Sequence, residues 1–407
     1  MKNTNSGVGV QIDQDPQTFP SPLKPVVELN SNLSHSPSIE QIVAEAHSHK
    51  ASDIHIRVGQ VPRFRIRGKM YVAKRHNKVT LEVFEAYLNE ILTPVQRKQF
   101  AETKELDTAI FYPGLVRCRV NCFDSLNGGA IVLRLISLDV PSIDDLTLPQ
   151  VFKKIVSRGQ GIILVTGPTG SGKSTTLATM IRHLNETEYK HIVTIEDPVE
   201  YVHRSRKCLI SQREVGLHTH QFHHALRSVL REDPDVILIG EMRDRITVDT
   251  ALQAAQTGHL VFGTLHTRNA ISSINRLLTL YNPDEQAAIR IQIAESLLAV
   301  IAQLLVPTTD KGRIAVHDIL INTPTVQDYL LKGEDVDVFR LMETETIEGM
   351  QVMNQALYNY LIDKKITAKE ALKASPDPQA LIRQMRTGGI DASASARDWM
   401  NEAWIKN

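Results

Sequence analysis

Apolar and polar residues follow different patterns in the two parts of the chain. From about residue 38 to 140, short segments alternate, as in VRCRVNCF at 116–123, which is typical of strands with one buried face. From about residue 146, short runs are apolar throughout, and stretches long enough for helices separate them. This change predicts a small α+β domain followed by an α/β domain with a mostly parallel sheet and helices on both of its faces.

The first 140 residues divide into a polar tail and the small domain. Residues 1–37 contain five prolines among many Asn, Ser and Gln residues, which predicts a disordered tail. In the domain at 38–140 we predict helices at 39–48, 81–92 and 94–100, a turn at 68–69, and strands at 52–58, 61–66, 107–112, 115–123 and 130–136. The segment at 141–147, which opens with PSIDD, is predicted as a linker.

In the larger domain, four apolar runs predict parallel strands at 162–166, 192–195, 236–239 and 260–264. Polar residues follow each run, and the ligand of an open α/β sheet lies beyond the carboxyl ends of its strands. We therefore expect these four ends to converge on one ligand. After residue 284 the chain is predicted to be mostly helical, with a buried amphipathic helix at 291–307 that is too polar to span a membrane.

Composition narrows the classes of function. A chain of 407 residues is expected to form at least two domains, and its 46 Lys and Arg residues balance 46 Asp and Glu residues. This balance weighs against a helicase or DNA translocase, so no nucleic-acid partner is expected. The three cysteines form no disulfide or zinc pattern, and Cys118 and Cys122 would share one strand face as packed thiols. Without a signal peptide or transmembrane segment in the sequence, a cytoplasmic location is expected.

Residues 167–175 read GPTGSGKST, between the first apolar strand and a helix-forming stretch, and match the phosphate-loop pattern. Glycines let the backbone N–H groups curl around phosphate oxygens. Lys173 is predicted to bind the β- and γ-phosphates, and the Ser174 hydroxyl to bind Mg²⁺. The predicted nucleotide-binding residues of this loop are Gly167, Pro168, Thr169, Gly170, Ser171, Gly172, Lys173, Ser174 and Thr175. The protein is therefore expected to bind a nucleoside triphosphate.

The next two strands along the chain end in acidic residues. The second strand leads to Glu196 and Asp197, which we interpret as facing a metal–phosphate site, the alternative being a solvated acidic turn. The third leads through Gly240 to Glu241, the position of an acid that holds Mg²⁺ through water or polarises the attacking water. The alternative for Glu241 is an acid that only caps the next segment.

Histidines flank the fourth strand and also form a separate cluster. His266 follows the strand, where its side chain could donate to a γ-phosphate, and His259 precedes it. The two are seven residues apart and need not point the same way, so His266 is the stronger candidate. Four histidines at 218–224 lie at the start of a predicted helix without an accompanying carboxylate or thiol arrangement, and a solvated surface is expected there.

Four motifs, in this order and at this spacing, resemble those of the PilT family, the retraction ATPases of type IV pili within the secretion ATPase superfamily. They are GPTGSGKSTT, TIEDPVE, LREDPDVILIGEMRD and TGHLVFGTLHT. The resemblance extends to KASDIHI, VRCRVNCF and EGMQVMNQAL and covers roughly residues 38–383. It implies a PAS-like domain at 38–140, a RecA-like P-loop ATPase domain with C-terminal helices at 148–385, and a C-terminal extension at 386–407.

The resemblance also implies ATP hydrolysis with Mg²⁺ in a ring of six subunits. Glu196 falls in the family's Asp box, and Glu241 is its Walker B glutamate, expected to activate water and to hold Mg²⁺ through water. His259 and His266 belong to its His box, with His259 expected on the nucleotide and His266 in catalysis.

Arginines of the first domain would supply charge to the transition state, because a guanidinium engages phosphoryl oxygens with a fixed fork. Arg119 and Arg134 fall at the positions that match the family, and Arg117 is a weaker candidate.

Three segments depart from the family pattern. TVQDYLLKGE at 325–334 stands where retraction ATPases carry an AIRNLIRE-like stretch, and this bears on retraction rather than on ATP hydrolysis. The tail at 1–37 and the end of the chain are additional. One predicted helical face of the C-terminal extension either packs on the body or binds a partner, and it carries Ala396, Trp399, Met400, Ala403 and Trp404.

The sequence thus predicts a cytoplasmic hexameric ATPase, peripheral at the inner membrane, that powers type IV pilus retraction and twitching motility. An inner-membrane platform protein is the expected partner, and a second PilT-like ATPase is a further candidate. Three alternatives stay open. The first is a PilT-like ATPase that serves another type IV pilus, a type II or type IVB secretion system or a conjugation system. The second is a PilU-like accessory subunit that modulates a partner motor. The third is a DNA translocase.

Overall fold

The computed structural model describes residues 37–136, 138–344 and 349–390. All but the last residue of the predicted tail, and the apolar helical face predicted at 396–404, lie outside these residues. The chain divides into two compact units between Asp139 and Val140. No helix in the described ranges combines the length and apolar character needed to cross a membrane.

The first unit is one antiparallel sheet with three helices. The helices are α1 (Ile39–Ser48), α2 (Leu81–Ile91) and α3 (Pro94–Thr103). The strands are β1 (Asp53–Arg57), β2 (Arg63–Ile66), β3 (Lys69–Val72), β4 (Glu105–Tyr112), β5 (Val116–Phe123) and β6 (Ala130–Ile136), in the order β3-β2-β1-β6-β5-β4. Compared with the prediction, only β3 is an additional strand.

Strand β5 shows why this sheet forms. Its residues alternate between buried and half-buried, so Cys118 and Cys122 lie in the core with Val116 and Val120. Both thiols are free, and burial raises the pKa of each to about 12. The two cysteines are therefore unreactive core residues, as the pattern predicted.

The second unit is a seven-stranded sheet with helices around it. Its strands are β7 (Gly161–Thr166), β8 (His191–Glu196), β9 (Leu209–Glu214), β10 (Val236–Ile239), β11 (Leu260–Leu265), β12 (Leu297–Pro307) and β13 (Arg313–Ile321). The helices up to β12 are α4 (Val151–Val156), α5 (Lys173–Thr187), α6 (Phe222–Val229), α7 (Arg245–Gln256), α8 (Ala270–Leu278) and α9 (Gln286–Ser296). Those after β13 are α10 (Pro324–Lys332), α11 (Asp335–Thr344), α12 (Met353–Ile362), α13 (Ala368–Ala374) and α14 (Pro378–Thr387).

The strand order is β13-β12-β7-β11-β10-β8-β9, and every neighbouring pair is parallel except β12 with β13. The predicted α/β class with a mostly parallel sheet and a helical C-terminal region is therefore confirmed. The four predicted strands are β7, β8, β10 and β11, and each is buried on both faces.

The predicted helix at 291–307 is wrong beyond Ser296, where α9 ends. Residues 297–307 form β12, which pairs with β7 on one side and β13 on the other. The apolar run of β12 is buried on both faces, and such a run does not distinguish a central strand from a buried helix by period alone. Strands β9 and β13 were also absent from the prediction.

Candidate nucleotide site

The phosphate loop lies between the carboxyl end of β7 and the start of α5. Gly172 precedes the first helical residue, Lys173, so the N-terminal N–H groups of α5 face the loop. Gly167, Gly170 and Gly172 have φ angles of 147°, 80° and 87°, which only glycine adopts without strain. The glycines predicted to let the backbone curl are thus in conformations that require glycine.

The side-chain ammonium group of Lys173 points back toward the phosphate loop. Its Nζ donates to the carbonyl oxygens of Gly167 at 2.8 Å and Pro168 at 3.2 Å. Burial lowers the pKa of Lys173, and the charges of Glu241 and Glu200 act in the opposite direction. The ammonium group is therefore held at the loop, where a phosphate oxygen could replace the two carbonyl oxygens as its hydrogen-bond partner.

One cavity of about 600 Å³ joins this loop to the ends of the neighbouring strands. Its walls include Thr169, Gly170, Gly172, Lys173, Ser174, Thr175, Glu196, Asp197, Glu241, Arg243, His266 and Arg313. The sequence predicted that the four strand ends would converge, and residues following β7, β8, β10 and β11 all line this cavity.

Glu241 is held between a histidine and an arginine. Its Oε1 lies 2.9 Å from His266 Nε2, and its Oε2 accepts from Arg243 at 2.6 Å. The Arg243 guanidinium is the main reason that the pKa of Glu241 is lowered. Glu241 is thus an ionised carboxylate facing the cavity. Arg243 was not among the predicted site residues, although its position two residues after a strand-end acid was a usable signal.

Glu196, at the end of β8, has the opposite environment. Its Oε1 accepts from Thr194 Oγ1 at 2.7 Å and from Gln212 Nε2 at 3.2 Å. Burial nevertheless raises the pKa of Glu196. The pKa of Glu241 is therefore lowered and that of Glu196 raised. Two neighbouring carboxylates whose pKa values are shifted in opposite directions commonly have different catalytic roles.

The structure separates His259 from this cavity. His259 precedes β11 and lies beside the amino end of β7, where its backbone carbonyl accepts from Gly161 N at 3.0 Å. Its Nδ1 contacts the Ala254 carbonyl oxygen at 2.9 Å. Since β11 spans six residues, His259 lies about 20 Å along the sheet from the phosphate loop. The expectation that His259 binds the nucleotide therefore has no support from its position in this chain, where it lies outside the cavity of the phosphate loop.

The candidate arginines of the first unit lie side by side on its sheet. Arg119 on β5 is directly opposite Arg134 on β6. The Nε of Arg134 donates to Asp53 Oδ1 at 2.9 Å, and the side chain of Arg134 is 69% exposed. Because Cys118 faces the core, Arg117 and Arg119 face the other side of the sheet. Asp53 therefore orients Arg134 without covering it.

The histidines at 218–224 form no metal site. Within the described residues, no group of three or more His, Cys, Asp or Glu side chains is placed to hold a metal ion. His218 Nδ1 accepts from the backbone N–H of Glu214 at 3.0 Å, and the rings of His223 and His224 lie 4.5 Å apart. The expectation of a largely solvated surface agrees with the exposed side chains of His218, His220 and His224.

The donor set of the cavity suits a nucleotide with Mg²⁺. The loop offers backbone N–H groups and Lys173 to phosphates, while the Ser174 hydroxyl and the Glu241 carboxylate offer the oxygen ligands that Mg²⁺ prefers. A phosphate loop at the end of a buried parallel strand, with an ionised acid at the end of a nearby one, defines a P-loop ATPase.

Comparison with known proteins specifies the family. The model of the family described as Type II/IV secretion system protein matches residues 28–387. The type IV pilus retraction ATPase PilT of Pseudomonas aeruginosa is 41% identical over 343 residues, which is 84% of this chain and 99% of that protein. The chain belongs to the PilT family of secretion ATPases, and the recognition made from its motifs is confirmed.

Other relatives agree with this assignment. A twitching motility protein of Neisseria gonorrhoeae is 44% identical over 315 residues, covering 77% of this chain and 83% of the relative. PilU of P. aeruginosa is 39% identical over 344 residues, covering 84% and 90%. The crystal structure of the pilus retraction motor PilT with bound ADP has a TM-score of 0.80 at 40% identity and covers 85% of this chain and 99% of that one.

Proposed function

We propose that this protein is an ATP-driven motor that retracts type IV pili. The observation that carries the proposal is the cavity in which Lys173, Ser174, Glu241 and His266 meet. The chain is similar over 84% and 77% of its length to proteins named for pilus retraction and twitching motility. The cavity supports the proposal of ATP hydrolysis, and the similarity supports the proposal that hydrolysis drives pilus retraction.

Binding of ATP begins at the loop. Backbone N–H groups at the start of α5 take the phosphate oxygens, and Lys173 exchanges its two carbonyl partners for the β- and γ-phosphates. Ser174 and Glu241 would hold Mg²⁺, which would neutralise phosphate charge.

Hydrolysis is a direct attack of water on the γ-phosphate. Glu241 is ionised and points into the cavity, and we assign it the orientation and polarisation of the attacking water. We assign to His266, which contacts Glu241, the role of sensing the loss of the γ-phosphate. Arg119 and Arg134 provide cationic charge as the phosphoryl group leaves, and this requires a correctly placed first unit.

The need for a correctly placed first unit implies that the protein works as an oligomer. We infer a ring of six copies in which contacts between neighbours hold each first unit in its working position. In this ring, hydrolysis drives rotations of the units against an inner-membrane platform protein, and a second PilT-like ATPase is a further candidate partner. The ring is expected to lie in the cytoplasm at the base of the pilus.

Deletion of the gene followed by counting of surface pili tests the function. Retraction predicts more pili in the deletion strain, a normal number after return of the wild-type gene, and no correction by Lys173→Ala. Loss of pili would instead assign the protein to pilus assembly. An unchanged number of pili would point to a secretion or conjugation system and would contradict the proposal.

A role as an accessory subunit is the second candidate, motivated by the 39% identity to PilU. Most of the segment at 325–334, where the retraction ATPases carry a different sequence, lies in α10, which is followed by Gly333 in the left-handed conformation. If pili accumulate on deletion but overexpressed protein cannot retract them without a second ATPase of the family, the accessory role is correct.

A further inference from the structure

A buried carboxamide connects the phosphate loop to the strand beside it. Gln303 lies on β12. The residue before it, Ala302, is paired with Thr166, the last residue of β7. Its Nε2 donates to the Ser171 carbonyl oxygen at 2.6 Å, and its Oε1 accepts from Thr176 Oγ1 at 2.6 Å. Only 2% of Gln303 is exposed, so these groups do not exchange their partners for water.

The same residue determines how closely the loop packs. A Cβ atom on Gly167 would lie 2.3 Å from the carbonyl oxygen of Gln303, and one on Gly172 would lie 2.9 Å from its Nε2. Real carbon atoms do not approach that closely. Gln303 thus occupies the space that side chains at both loop positions would need, in addition to bonding the loop and the helix that follows it.

A residue of the neighbouring strand β13 also contacts the carboxamide of Gln303. His317 is directly opposite Gln303 on β13, and its Nε2 lies 3.2 Å from Gln303 Oε1. Since Ser171 O can only accept, Gln303 must present its NH₂ group there and its oxygen to Thr176 and His317. The His317 ring packs edge-on against Phe152 with 5.2 Å between centroids. The orientation of the amide is thereby fixed from both sides.

We propose that Gln303 is a positioning residue for nucleotide binding, which sets the curvature of the phosphate loop and so aims its N–H groups and Lys173 at the phosphates. This rests on the loop being the nucleotide site proposed above. Gln303 does not line the cavity that holds Lys173 and Glu241, and it acts through Ser171 and Thr176.

The role requires a donor that faces the Ser171 carbonyl oxygen. Methionine would fill the space and bond neither the loop nor the helix, so a buried carbonyl of the loop loses its partner, which favours a relaxed loop over the bound shape. Glutamate has the same shape and could still accept from Thr176 and His317, but it has a hydrogen for the Ser171 carbonyl oxygen only when it is protonated. Its ionised form leaves that carbonyl without a partner, so nucleotide binding by Gln303→Glu should weaken as the pH rises.

The test compares Gln303→Glu and Gln303→Met with Gln351→Leu. Gln351 is the matched control because its Nε2 donates at 3.1 Å to the carbonyl oxygen of His317, the β13 residue that contacts Gln303. Gln351 itself bonds neither the loop nor Gln303. Each protein is titrated with a fluorescent ADP analogue in the presence of Mg²⁺, and its ATP turnover and melting temperature are measured. Lys173→Ala serves as the reference for loss of the site.

Gln303→Met should bind the ADP analogue at least about ten-fold more weakly than wild type, whereas Gln351→Leu should bind it normally. Gln303→Glu should bind it more weakly as the pH rises, relative to wild type at the same pH. Wild-type affinity in folded Gln303→Met would overturn the proposal, and so would equal weakening in Gln351→Leu. If neither Gln303 variant folds, Thr176→Val decides, with several-fold weaker binding expected and unchanged binding contradicting us. Normal binding by Lys173→Ala would instead overturn the nucleotide site itself.

Discussion

His266 and Glu241 follow two neighbouring parallel strands, and their side chains meet with 2.9 Å between Nε2 and Oε1. Arg243 holds the other oxygen of the same carboxylate. These contacts keep Glu241 ionised and fix its direction into the cavity, while Glu196, on the far side of β10, is shielded and less acidic. The pair of acids therefore offers one carboxylate suited to act on water and one suited to a supporting role.

Glu241→Gln should separate binding from hydrolysis. The amide keeps the shape of the side chain and removes its charge, so ATP should still bind while turnover falls by about two orders of magnitude or more. Steady-state ATPase assays together with nucleotide titration measure both quantities. Glu196→Gln is the comparison, and if it abolished turnover while Glu241→Gln were mild, the roles assigned to the two acids would be reversed.

Most of this site was predictable because its residues follow strands in the sequence. The loop at 167–175, Glu196, Glu241 and His266 each come after an apolar run, and parallel strands bring such positions to one edge. His259 lies away from this cavity for the same physical reason. It precedes its strand, so the strand itself carries it to the opposite edge, and the length of the apolar run already contained that information.

Gln303 could not have been found in this way. Its partners Ser171 and Thr176 are 132 and 127 residues away in the chain, and only the pairing of β12 with β7 brings them together. In the sequence Gln303 was only a polar interruption of a presumed helix. The apolar run around it is ambiguous between helix and strand, so no local signal revealed either the strand or the contact.

Asp318 should make stability depend on pH. This carboxyl group is buried on β13, where its Oδ1 accepts from Ala270 N at 3.1 Å, and burial raises its pKa to about 6 from 3.8. An acid whose pKa is raised in the folded state contributes stability below pH 3.8 that is lost as the pH rises through about 6. Over that window the free energy of unfolding should fall by about 3 kcal/mol through this group.

Asp318→Asn removes this titration and is the direct check. The difference in unfolding free energy between wild type and variant, from urea denaturation at several pH values, should change across the window and be constant above about pH 7. Using the difference cancels the titration of other groups. A difference independent of pH would mean that Asp318 titrates normally.

Arg134→Ala and Arg119→Ala should lower turnover much more than nucleotide affinity. The role proposed for their charge is to stabilise the departing phosphoryl group, so its loss should raise the barrier without weakening ground-state binding. Lys69→Ala is a control, because it removes an exposed cation from β3 of the same unit. Unchanged turnover in both arginine variants would exclude the first unit from catalysis.

Assembly should control activity. Arg119 and Arg134 belong to one compact unit and the phosphate loop to the other, so turnover requires a fixed placement of the two that contacts with a neighbouring subunit can supply. We therefore expect a hexamer and a specific activity that rises with protein concentration until rings are complete. Light scattering and ATPase assays on the same dilution series measure this, with Glu241→Gln as a control that should form rings without turnover. Full activity at concentrations where only monomer is detected would refute the ring mechanism and the motor function that depends on it.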